Sequence, residues 1–239
     1  MDAENIITAI KEFFLEILGF LIPGIILITL VLIQFNNFNF IKYQTFYKEN
    51  YILLIFIAYS LGYVIYGVSL TRDEFFKWLS KYTIIKIRTV QEKAIGEITT
   101  KNTFERALEI INKKSNTQHK IEDFNEARNY AISGIPSSDT IKVYTNMFRA
   151  DLCDHLQAAL SLILSLGLLN LLVSFFSPYE NLLFCNSIDH LIYIYIPSLI
   201  SIYFLGKTRY RYFTIAYKIP FSMYIEKIES REVENKKNV

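Results

Sequence analysis

Four stretches of this chain carry no charged side chain: Ile17 to Ile33, Ile52 to Leu70, Leu156 to Pro178 and Leu191 to Gly206. A hydrocarbon layer about 30 Å thick is crossed by roughly twenty residues of helix. The second and third stretches reach that length alone; the first and fourth reach it with their flanking aromatic and amphipathic residues. Four such runs would overfill the core of a soluble protein of 239 residues. The pattern therefore predicts an all-α integral membrane protein with four transmembrane helices. Its spans fall at about 13–34, 51–71, 155–177 and 189–206, grouped as an N-terminal hairpin (1–71) and a C-terminal hairpin (155–206). Residues 72–154 form a helical insert between spans two and three, and 207–239 form a closing segment.

The apolar stripes do not stop at the membrane lengths. After Arg72, Phe75, Phe76, Trp78, Leu79 and Tyr82 continue the stripe of the second span. Ile141, Tyr144, Met147, Phe148 and Leu152 lead into the third. Spans two and three are thus predicted as the membrane halves of two long helices. Gly134-Ile-Pro-Ser-Ser-Asp139 reads as a turn and helix start, with Ser137 or Ser138 as cap. Within the insert, Thr103 can cap a helix bearing Phe104, Ala107, Leu108 and Ile111, with Lys113 and Lys114 at its negative end. Ile121, Phe124, Ala127, Arg128 and Ala131 predict another, stopped by Gly134. Residues 83–98 fit either a helix or a short strand. Residues 2–16 form an amphipathic lead-in, and Pro23-Gly24 in the first span is a hinge candidate, since proline deletes a backbone donor. Residues 229–239 are predicted to be a disordered tail.

Charge gives these helices a direction. Segment 72–154 holds fourteen Lys and Arg, segment 207–239 holds eight, and Lys11 precedes the first span. Only Lys42 and Lys48 lie in loop 34–51, and none lies in loop 177–190. Basic residues concentrate on the cytoplasmic side, so both termini and the insert are expected inside a bacterial inner membrane. Aromatic residues crowd 35–51 and, with Tyr203, Tyr210, Tyr212 and Tyr217, the inner end of span four, as amphipathic rings do at headgroups. Lys207, Arg209 and Arg211 alternate with tyrosines there and are expected to be an interfacial anchor on anionic lipid. The start, Met-Asp-Ala-Glu-Asn, lacks the basic region of a cleavable signal, so the first span is read as retained. Cys153 and Cys185 fall on opposite sides of the membrane in this topology and form no disulfide framework.

Candidate chemistry is sparse. His119, His155 and His190 are scattered without metal-ligand spacing, and eight glycines form no phosphate loop, so no metal or cofactor is expected. The spans lack the central charges of ion-coupled transporters. Their mild polarity singles out Ser60, Gly62, Ser161, Ser165 and Asn170 as candidates for helix packing or, in an oligomer, for a weakly polar pore lining. The insert carries twelve acidic residues against its fourteen basic ones, so DNA binding is not expected.

Arg149 and His155, with five residues between them, resemble the Arg-x(4–6)-His motif of the HEPN ribonuclease family. That resemblance implies a dimer pairing both residues around an RNA phosphate; the polar residue that often follows the arginine is Ala150 here. The overall plan resembles small multi-span bacterial membrane effectors of anti-phage defence. That resemblance implies a non-enzymatic, homo-oligomeric, pore-forming effector, with a soluble protein or a nucleotide or oligonucleotide signal bound at the insert. A non-catalytic anchor for a soluble partner is the third expectation.

Overall fold

The computed structural model describes residues 3–34, 48–82, 89–114, 120–176 and 191–237. The aromatic-rich part of loop 34–51, loop 177–190, the start of the ambiguous 83–98 stretch, His119, Cys185 and His190 lie outside the described residues. Among those described, all regular structure is helical. The helices are α1 (Ala3–Gln34), α2 (Tyr51–Tyr82), α3 (Val90–Thr99), α4 (Asn102–Lys114), α5 (Phe124–Gly134), α6 (Ser137–Phe176) and α7 (Ile196–Lys237), with a π-helical turn at Leu191–Tyr195 leading into α7. Three helices are long and apolar enough to cross a membrane, within Phe13–Ile33, Tyr51–Arg72 and Asp139–Leu169. The remaining apolar run is helical from Leu191 onward.

The chain divides into two units, residues 1–82 with 151–208, and residues 83–150 with 209–239. Helices α6 and α7 each belong to both, without interruption in either.

In the first unit α1 and α2 pack along each other. They approach closely because two glycines face backbone. A Cβ on Gly24 would stand 1.8 Å from the carbonyl oxygen of Ala58, and one on Gly62 would stand 2.2 Å from that of Phe20. Small residues permit this approach between membrane helices. Ile65, Ala158, Ala159, Ile163, Leu27 and Ile194 form its buried apolar cluster. The outward side chains of α1 and α2, such as Ile25, Ile52, Phe56 and Val64, are large, apolar and exposed, as a lipid-facing surface requires.

The second unit is a small helical domain with its own core. Thr89 and Glu92 form a reciprocal capping box at the start of α3, and Asp123 caps α5 through the amides of Asn125 and Glu126. Helix α4 begins at Asn102, so Thr103 lies inside its first turn. The Asn112 side chain closes the α4–α5 connection: Nδ2 donates to Ile121 O at 3.1 Å and Oδ1 accepts from Ile121 N at 2.8 Å. Phe104, Ala107, Ile111, Phe124, Ala127 and Ala131 from these helices pack against Phe213, Tyr217, Phe221, Tyr224, Ile225 and Ile228 of α7.

This packing corrects the expected ends of the chain. Residues 229–237, predicted as disordered, continue α7. Residues 209–228 do not lie apart as a surface segment; they supply six of the seventeen buried residues of the second unit's core. Lys227 Nζ donates to Gly134 O at 2.5 Å, placing a cation at the negative end of α5, and the Tyr224 ring occupies the space a side chain at Gly134 would need. Beside that core, the Glu97 carboxylate accepts from Lys101 and from the Tyr210 hydroxyl. The lysine bond first and the tyrosine bond second hold its pKa below the ordinary value, while the same bond raises that of Tyr210.

Candidate functional site

The polar chemistry of the first unit collects around His155 on α6. Proline at position 23 has no N–H, so the carbonyl of residue 19, four positions earlier in α1, loses its helical donor. His155 Nδ1 lies 3.2 Å from Gly19 O. A carbonyl only accepts, so Nδ1 carries the proton in this contact. A side chain from a neighbouring helix thus supplies the donor that proline removes, the condition under which proline is tolerated inside a membrane helix.

Aromatic rings from α1 and α2 hold the imidazole in place. Phe20 lies nearly parallel to it, with centroids 5.7 Å apart, and Tyr66 meets it edge-on at 5.4 Å. Phe20 also stacks on Tyr63 at 4.1 Å, and the hydroxyls of Tyr63 and Tyr59 are 3.0 Å apart. Beside His155, Asp154 makes an ion pair with Arg72 of α2. The pair is largely enclosed, with side chains 19% and 11% exposed, so neither charge is left to bulk water alone. Arg72 marks the end of the charge-free run of α2, and its tie to Asp154 on α6 was not visible in the sequence.

The expected hinge residues are packing residues here. Pro23 is fully buried, α1 continues through it, and Gly24 presses on the backbone of α2. The candidate pore serines close on their own helices: Ser60 Oγ donates to Phe56 O, Ser161 Oγ to Gln157 O and Ser165 Oγ to Ser161 O, at 2.7 to 2.9 Å. Gly62 lies against Phe20, and the Asn170 side chain is outside the described residues. Gln157, which sequence reading passed over, crosses to α7 and donates to Ile202 O at 2.8 Å.

Arg149 and His155 are not presented as the HEPN resemblance requires. Six positions of α-helix separate them by about 9 Å along the axis and roughly 120° around it. His155 is buried and bonded to Gly19, whereas Arg149 is exposed and lies over the Tyr212 ring. The interfacial trio also divides. Lys207 and Arg211 are exposed, but Arg209 is buried and sits over Phe213. Alternate positions on a helix point some 200° apart, so the period-two pattern of basic residues cannot form a single face.

Comparison of the chain with protein-family models, curated proteins and solved structures finds no match. The class is therefore defined by the structure alone: among the described residues an all-helical protein with three helices able to cross a membrane, three shorter helices within a second unit, and α7 shared by both units.

Proposed function

We propose that this chain is the protomer of an oligomeric membrane channel or pore-forming effector, controlled through the helical unit of residues 83–150 and 209–239. The observation that carries this reading is the continuity of α6 and α7, each of which runs without a break from one unit into the other. A rearrangement in the helical unit acts directly on helices that enter the apolar unit. The segment 191–206 serves as the fourth span, and the distribution of Lys and Arg sets both termini and the helical unit on the cytoplasmic face of a bacterial inner membrane. The candidate pore serines bond to their own helices, and an aqueous path is built between protomers rather than through one. The resemblance of the plan to anti-phage membrane effectors is the support for a role in defence.

Purified full-length chain should run as an oligomer in detergent and give stepwise conductance in planar bilayers or release dye from liposomes. A strictly monomeric protein that leaves bilayers silent at every voltage sinks the reading.

A further inference from the structure

Three ion pairs join described side chains of the helical unit. Arg106 pairs with Glu229, Lys101 with Glu97 and Lys142 with Asp139. Arg128 on α5 does not: it makes no ion pair or hydrogen bond to any described residue. Its guanidinium lies over the Tyr217 ring of α7 at 5.0 Å, with Nε buried and unpartnered. The helix neighbours that could have supplied a carboxylate, three and four positions away, are Phe124, Asn125, Ala131 and Ile132. Burial lowers the pKa of Arg128, opposed by the nearby hydroxyls of Tyr217 and Tyr144.

Arg149 repeats the arrangement. It too makes no ion pair or hydrogen bond to a described residue, and it lies over Tyr212, five residues from Tyr217 on the same helix. Tyr144, on the same helix as Arg149, is half exposed. A guanidinium held flat on an aromatic ring keeps a fixed donor fork, and such a fork matches the oxygens of a phosphate. A cation taken out of water without a counter-charge is costly unless an anion completes it.

We propose that Arg128, seated on Tyr217, binds a phosphate group from outside the chain. The group comes either from a soluble phosphorylated molecule or from a phospholipid headgroup. The site goes beyond the pore reading and stands whether or not the chain conducts.

Full-length protein in detergent is titrated with sodium pyrophosphate at constant ionic strength, and separately reconstituted into phosphatidylcholine nanodiscs with or without phosphatidylglycerol. Binding is read by calorimetry and by the shift in thermal unfolding. Stabilisation by pyrophosphate marks a soluble ligand, and stabilisation by phosphatidylglycerol alone marks a headgroup. In either arm Arg128→Gln should weaken the response roughly tenfold or more, the loss expected for a charge-assisted bond, and Arg149→Gln less. Without phosphate, Arg128→Gln should unfold at or above the wild-type temperature, because it removes a desolvated charge. If neither phosphate source stabilises the protein, or Arg128→Gln responds like wild type, the site does not exist. An Arg128→Gln protein that is destabilised without phosphate assigns Arg128 a packing role and overturns the proposal.

Discussion

Pro23 removes one backbone donor from α1, and the compensation comes from a residue 136 positions beyond the orphaned carbonyl. Geometry holds His155 in that role: its ring is enclosed by Phe20 and Tyr66 and its Nδ1 is committed to Gly19. The two residues should therefore be energetically coupled. His155→Ala leaves the Gly19 carbonyl without its donor and should cost about 1–3 kcal/mol of stability, the range for a buried unsatisfied group. In a Pro23→Ala background the restored N–H of residue 23 serves that carbonyl, and the same histidine substitution should cost distinctly less. Unfolding of the four proteins of this cycle in detergent measures the coupling; strict additivity would refute the pairing. Proline itself named the carbonyl that needed help. Which side chain would provide it depended on how α6 lies against α1, and no local pattern contains that.

At the scale of elements, the α1–α2 pair rests on close backbone approach rather than on large interlocking side chains. Gly24 and Gly62 each face a carbonyl of the opposite helix, whereas Gly67, one and a half turns beyond Gly62, has open space around it. Gly62→Ala should destabilise the pair by about 1–3 kcal/mol, as overpacking does, and Gly67→Ala should be neutral or slightly stabilising. Equal effects at the two positions would show that helix propensity, not backbone contact, decides. By sequence, Gly62 reads as a packing or pore residue and Gly24 as part of a hinge. A glycine beside proline fits a hinge and a contact point equally well until the facing helix is known.

For the whole molecule, the decisive element is the far half of α7. Phe221 is fully buried, and Tyr224, Ile225 and Ile228 are buried with it among the residues of α3, α4 and α5. Each such side chain contributes about 1.5–3 kcal/mol on burial, so the four together rival the roughly 5–15 kcal/mol that holds an ordinary domain folded. A chain ending at Pro220 should lose the helical unit, seen as rapid proteolysis within residues 90–135. A chain ending at Glu229 keeps that core and the Arg106 partner and should resist protease as the full chain does. Equal resistance of both truncated chains would show that the unit folds without α7.

The apolar runs, their lengths and the helical periods of the insert were determined by the sequence alone, because burial in hydrocarbon and helix amphipathicity are written into consecutive residues. The three helices able to cross a membrane and the helices at 102–114 and 124–134 follow from that local information. Only the tertiary structure decided that the charged closing segment, which reads by composition as a surface anchor and a loose tail, supplies about a third of a core. Its apolar positions, Phe213, Tyr217, Phe221, Tyr224 and Ile228, are spaced three or four apart among lysines and glutamates. Such a stripe is stable only when partners bury it, and here those partners stand some ninety or more residues earlier in the chain.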